Sequence, residues 1–416
     1  MITVVGLGIV GLTTALGFAE KGYDVTGVEK DKVRRETIAS GKVPFYEEGL
    51  EKPLTAHTGK NFIVSDSFEA VKKSDYIFFC VGTPAGEDGE ADLTHLYAAL
   101  DESLGVLSKE KKNVPIIVVK STVPPSTTFG KVAKYIENKG FVIGKDVYLA
   151  NNPEFLREGY CWEDFMYPGR IVIGAEDEYT RREMRKLYEP FKAPIHTVSG
   201  NTAEFIKYVS NSMLATMISF SNEMAEVADS IGNIETAEAF HILHEDERWN
   251  NAPMKAYIYP GCGYGGYCLP KDTVALSKIA KNYGTDTAIL NQVIERNNSM
   301  AQSIANRIAK SVGKNDVIGI LGLSFKPGSD DVRESASAKV IKKLIEMGYT
   351  RFVAYDPVAN LLFKQTYSFS DSIKFTDSAE KVIKESQMAV ILTGWEEFKS
   401  ICNDDRKKVL DFRYIL

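Results

Sequence analysis

The chain has 416 residues, 44% of them apolar and 25% charged, with a formal net charge of −6. That length and composition fit two or three soluble domains with real cores, and the acidic balance excludes the basic excess of a nucleic-acid binder. Five cysteines, Cys80, Cys161, Cys262, Cys268 and Cys402, are odd in number and irregularly spaced, so they predict no disulfide framework or zinc site and point to a reducing, cytoplasmic compartment.

The apolar start, Met1 to Phe18, lacks a basic leader and is interrupted by Gly6, Gly8 and Gly11. It reads as a strand entering a helix, not as a signal peptide. No later stretch is apolar enough to span a bilayer. Ile2–Val5, Asp24–Val28, Tyr76–Val81, Ile116–Lys120 and Val147–Ala150 predict strands separated by amphipathic helices, the rhythm of a parallel sheet covered on both faces. Thr202 to Ile231 is almost free of Gly and Pro, and its apolar spacing predicts one long helix. A Gly- and Pro-rich loop, Ile258 to Lys271, follows, then helix from Thr273 to about Lys310. Val317–Leu323, Phe352–Tyr355, Ala389–Leu392 and Lys408–Leu410 predict a second β-α-β series without a second G-x-G-x-x-G. The fold class expected is α/β, two Rossmann-like parallel-sheet domains joined by a long central helix. The expected divisions are 1–200, 201–300 and 301–416.

Within GLGIVG, Gly6 permits the turn, Gly8 lets the backbone approach a pyrophosphate, and Gly11 allows helix to pack on strand. Glu29 ends the next strand, placed to accept from adenosine ribose hydroxyls. A carboxylate there favours NAD over NADP by repelling a 2′-phosphate. Downstream, GCGYGGYCLPKD (Gly261 to Asp272) sets Cys268 among glycines, close to Lys271 and Asp272. Lys271 could favour the reactive thiolate, and a small buried hydrophobe is the other reading of such a cysteine. His241 and His244 are three apart with no third ligand nearby, so no metal is expected.

With GLGIVG and the cysteine loop, five further stretches occur in order: FFCVGTP (Phe78 to Pro84), KSTVPP (Lys120 to Pro125), NPEFLREG (Asn152 to Gly159), AEFIKYVSN (Ala203 to Asn211) and FKPGSDDVRES (Phe325 to Ser335). On these the chain resembles the UDP-glucose/GDP-mannose dehydrogenases. The resemblance implies NAD-dependent, four-electron oxidation at C6 of a nucleotide-bound hexose, UDP-glucose to UDP-glucuronate, with UDP-N-acetylhexosamine or GDP-mannose as the alternative. Cys268 would form a thiohemiacetal and then a thioester. Lys207 and Asn211, four apart on one helix face, would stabilise developing oxyanion charge. Glu154, Glu158 and Asp272 would handle protons and water with Thr122; Glu154 is favoured as hydrolytic base, with Glu158 near the nicotinamide.

The implied cofactor contacts are Gly6, Gly8, Val10, Gly11, Glu29, Arg34, Thr83, Thr122, Glu158, Lys271 and Arg333. The implied substrate contacts are Glu154, Phe155, Leu156, Arg157, Glu158, Lys207, Asn211, Tyr257, Ile258, Tyr259, Pro260, Gly261, Gly265 and Lys326. A homodimer through the long helix (Met213, Met217, Phe220, Met224) is implied too, with no nucleic-acid or membrane partner. The chain departs from the common family pattern at Tyr267, where many members carry Ser, at Gly169 and at Phe412.

Overall fold

The computed structural model describes all residues except 87–88, 109–113, 247–256, 258 and 404–407. It divides into two compact units, Met1–Val209 and Ser210–Leu416. The division falls inside one helix of 32 residues, Gly200–Ile231.

The first unit is built on an eight-stranded sheet: β1 (Ile2–Val5), β2 (Val25–Val28), β3 (Phe62–Ser65), β4 (Tyr76–Phe79), β5 (Ile116–Val119), β6 (Tyr148–Asn151), β7 (Ile171–Gly174) and β8 (Ile195–Val198). The strand order is β3-β2-β1-β4-β5-β6-β7-β8. All neighbours are parallel except β6 and β7, which meet antiparallel at Asn151 and Gly174. Central strands such as β5 are buried at every position, as expected of a sheet covered on both sides. Successive residues serve opposite cores: Phe78 and Val118 join one apolar cluster, Ile77, Phe79, Ile117 and Val119 the other. The chain crosses from one side of β1 to the other between β3 and β4, so the loops after β1 and β4 flank the switch point where such sheets bind ligands. Gly174 lets the long helix start against the sheet: a Cβ there would stand 2.9 Å from the Gly200 Cα.

The second unit carries β9 (Ile318–Leu321), β10 (Phe352–Tyr355), β11 (Ile373–Phe375), β12 (Met388–Ile391) and β13 (Val409–Asp411), all parallel, in the order β11-β10-β9-β12-β13. Two related parallel sheets were expected; both are present, the first extended by β7 and β8, which run opposite to its other strands. Four strands escaped the sequence reading: β3, β7, β8 and β11. Three of them are sheet edges, where one flank faces solvent and no continuous apolar run is needed.

Two local expectations are corrected. The cysteine loop does not extend to Lys271, because a helix begins at Cys268 and runs to Asn282. Pro270 fits its first turn, where a missing N–H costs nothing. Nor is Thr273 to Lys310 one helix. Gly284 adopts φ +77°, and Thr285 N and Gly284 N donate to the Ala280 and Lys281 carbonyls. That left-handed C-cap stops the first helix, and a second runs from Ala288 to Ala309.

Candidate active site

In the first unit, Gly6 turns at φ +87° and the helix Ile9–Glu20 starts at once, with no side-chain cap. A Cβ on Gly11 would overlap the Gly6 carbonyl, whereas one on Gly8 would meet no protein atom within 4 Å. Gly11 therefore serves packing, and Gly8 leaves open backbone for a phosphate. Glu29 is buried at the end of β2. Its Oε2 accepts from Leu7 N at 2.9 Å and its Oε1 from Asp31 N at 2.9 Å. Oε1 has a further acceptor site for a ribose hydroxyl. Arg34 Nη1 stands 3.4 Å from Oε2.

The loops after β4 and β5 are tied together. Thr83 Oγ1 donates to the Thr122 carbonyl at 2.7 Å, and Ser121 Oγ to the Val81 carbonyl at 2.7 Å. Behind them lies a buried polar chain that sequence reasoning missed: Lys120 Nζ donates to Asn152 Oδ1 at 2.9 Å, as does the Tyr188 hydroxyl at 2.5 Å. Burial brings the Lys120 ammonium down to about 8, although Cys80 and Glu154 pull the other way. The only sequence signal was that this lysine opens KSTVPP.

Glu154 and Lys207 are both buried and meet at 2.8 Å. Burial pushes the Glu154 carboxyl up; the Lys207 ammonium, the Leu156 N–H and Lys120 together outweigh it and hold the group below its ordinary value. The expected base and the expected oxyanion donor thus neutralise each other here. Phe155 carries the Arg170 guanidinium 4.1 Å and the Lys207 ammonium 5.7 Å from its ring centre. Arg157 is engaged by Asp164 through both Nε and Nη2. Glu158 is half-buried. The loop bearing these residues is pinned at its end, where Gly159 N and Cys161 N donate to the buried Glu47 carboxylate.

One turn before Lys207 lies another missed residue, the buried Glu204. Thr127 N and Thr128 N donate to its carboxylate at 3.3 and 2.8 Å. They open the helical run that follows KSTVPP, just after Ser126 at φ +70°. Burial raises Glu204 to about 7 despite these hydrogen bonds.

In the second unit, Asn211 Nδ2 donates to Asp272 Oδ2 at 2.6 Å and Lys271 Nζ reaches Asp272 Oδ1 at 2.5 Å. All three are buried. Cys268 opens the helix that bears Lys271 and Asp272, one turn before Lys271, where the positive end of the helix dipole favours an anion. It is the exposed cysteine; Cys161, Cys262 and Cys402 are buried and Cys80 is half-buried. Burial pushes the thiols of Cys80 and Cys262 up to about 12 and about 11, leaving them inert.

The cysteine loop rests on the 325–334 segment. Gly266 N donates to the Arg333 carbonyl at 3.1 Å, and Gly266 turns at φ +74° against the Phe325 ring. A Cβ on Gly265 would clash with the Glu334 carbonyl. Gly261 N donates to Asn222 Oδ1 at 2.6 Å and Tyr259 Oη to the Tyr414 carbonyl at 2.9 Å. Lys326 is half-buried with its ammonium 5.5 Å from the Phe325 ring centre. Ile258 lies outside the described residues. Asp356, also unforeseen, ends β10 as Glu29 ends β2 and accepts from Leu323 N and Ser324 N. Trp395 Nε1 occupies it as well.

A glycine turn at the switch point of a doubly wound sheet, with a carboxylate ending the neighbouring strand, defines the cofactor domain of a Rossmann-type dehydrogenase. Residues 1–192, 201–299 and 319–416 match, in turn, the NAD binding domain, the central domain and the UDP binding domain of one family. The chain belongs to the UDP-glucose/GDP-mannose dehydrogenase family, and its cofactor is NAD. It is 37% identical to a UDP-glucose 6-dehydrogenase of Rickettsia bellii (strain RML369-C), over 96% of this chain and 90% of that one. Among solved structures, a UDP-glucose dehydrogenase from the hyperthermophilic archaeon Pyrobaculum islandicum superposes with a TM-score of 0.91, at 35% identity over 100% of this chain and 94% of that one. A UDP-D-ManNAc dehydrogenase from Pyrococcus horikoshii gives 0.85 at 28% identity, over 100% and 96%. No described helix is long and apolar enough to cross a membrane.

Proposed function

We propose that this chain oxidises the C6 hydroxyl of UDP-glucose to the carboxylate of UDP-glucuronate, in two hydride transfers with Cys268 holding the intermediate. NAD, held by the glycine turn and Glu29, would supply the two-electron acceptor for each oxidation, two equivalents per sugar; in the first, the C6 alcohol gives up a hydride and its hydroxyl proton and becomes an aldehyde. The Cys268 thiolate adds to the C6 aldehyde and forms a C–S bond as the C=O double bond opens; the oxygen takes up the proton that the thiol gave up and becomes the hydroxyl of a thiohemiacetal. Loss of the second hydride and of the hydroxyl proton leaves a thioester. Water then cleaves the C–S bond, giving the acid and restoring the thiol.

Lys207 and Asn211 donate to the oxygen that gains charge. Asp272 orients Asn211 and Lys271 and takes a proton near the thiol. Glu154 activates the hydrolytic water, while Lys207, with three N–H donors, turns one of them to the oxyanion; Glu158 and Thr122 lie toward the nicotinamide. Gly6, Gly8, Val10, Gly11, Glu29, Arg34, Thr83, Lys271 and Arg333 hold NAD. Phe155 to Arg157, the Tyr257–Gly261 loop, Gly265 and Lys326 take the sugar nucleotide. Function divides near residues 200 and 300. The enzyme works in the cytoplasm as a homodimer through the long helix.

The observation that carries this reading is the exposed Cys268 one turn from the buried Lys271–Asp272–Asn211 network. The test compares UDP-glucose, UDP-N-acetylglucosamine, UDP-N-acetylmannosamine and GDP-mannose. The expected outcome is turnover of UDP-glucose with two NADH per sugar. Turnover of another nucleotide sugar in its place overturns the substrate, and one NADH per sugar overturns the thioester.

A further inference from the structure

Tyr267 stands immediately before Cys268. The Arg333 guanidinium carbon lies 4.5 Å from its ring centre and the Lys271 ammonium 5.6 Å. Cations within about 6 Å of an aromatic centre are held by the ring quadrupole. The backbone brings the partners together, since Gly266 N donates to the Arg333 carbonyl. Each cation is also held by a carboxylate. Arg333 makes a forked pair with Asp331, Nε to Oδ1 at 3.0 Å and Nη2 to Oδ2 at 2.6 Å, and Lys271 pairs with Asp272. A fork restrains the guanidinium at one edge; a ring beneath it restrains its plane as well.

We propose that Tyr267 is a positioning residue, an aromatic platform that seats Arg333 and Lys271 beside Cys268. This rests on the reading above for one consequence only, that those two cations meet NAD. The charged groups on the packed elements are Lys271 and Asp272 on the helix that Cys268 opens and Lys326, Asp330, Asp331, Arg333 and Glu334 on the segment against which the loop rests. A Ser at position 267 keeps the backbone and removes the platform; Phe keeps the ring face.

The full chain is tested as parent, Tyr267→Ser and Tyr267→Phe. Without nucleotide, the pH profile of Cys268 alkylation by iodoacetamide is followed by peptide mass spectrometry. NADH affinity is followed by fluorescence titration. Tyr267→Ser should move the alkylation midpoint up by about half a unit and weaken NADH about threefold, with Tyr267→Phe matching the parent in both. An unmoved midpoint in Tyr267→Ser overturns the platform, and so does a Phe variant shifted as far as Ser. A shifted midpoint with unchanged NADH affinity upholds the platform and counts instead against Lys271 and Arg333 as NAD contacts.

Discussion

Five thiols share this chain, and exposure separates them. Cys268 reaches solvent from a helix N-terminus, whereas burial keeps Cys80, Cys161 and Cys262 protonated. Only the thiolate is a useful nucleophile. Cys268→Ser should therefore lower net acid formation on the order of 10³-fold or more, while NADH titration gives the parent affinity. Undiminished acid formation by that variant would remove covalent catalysis. The same scale shows why Glu154 was only half legible. Its place in NPEFLREG marked it, but its partner Lys207 is far away in sequence. A carboxylate exposed at that position would behave ordinarily; burial against an ammonium makes it a restrained anion.

Among elements, the first turns of the long helix are fastened by carboxylates. Glu176 accepts from Gly200 N, and Glu204 accepts from the start of the helical run after KSTVPP. Glu204 is raised from 4.5 to about 7 by burial, so the folded state favours its protonated form. Its contribution to stability is complete below about 4.5 and is lost as pH rises to about 7. In Glu204→Gln nothing titrates there. The stability of the variant relative to the parent should therefore climb between these pH values, by on the order of 3 kcal/mol, and level off above. Urea unfolding at a series of pH values measures it, and a pH-independent difference would mean the carboxyl is not perturbed. Elements also show what periodicity cannot report. β8 (IHTV) and β11 (IKF) lie at sheet edges with only partial burial, so neither shows the apolar run of an interior strand.

At the scale of the whole molecule, the long helix leaves Met213 and Phe220 exposed, Phe220 at 57%, and Ile289 of the helix Ala288–Ala309 at 76%. Phe220 and Ile289 line a groove with Thr216 and Gln292. A second copy covering this face would bury it, as the proposed homodimer requires. Phe220→Glu should then cost about 3 kcal/mol or more in association, roughly a hundredfold in the dimer dissociation constant. The monomer should stay folded, because that side chain is mostly exposed. Sedimentation velocity across a dilution series decides it, and an unchanged dimer would place the interface elsewhere.

Two α/β sheets, the glycine turn, Glu29 and the cysteine loop could all be read from the chain itself. Each is a local pattern, set by the pleat, by the few conformations open at glycine, or by residues adjacent in sequence. Tertiary structure alone decided which polar groups lose water and to whom they turn. Lys120 with Asn152 and Tyr188, Glu204 with Thr127 and Thr128, and Tyr267 with Arg333 are pairings of distant residues. Desolvation strengthens such contacts, and it exists only after the chain has packed.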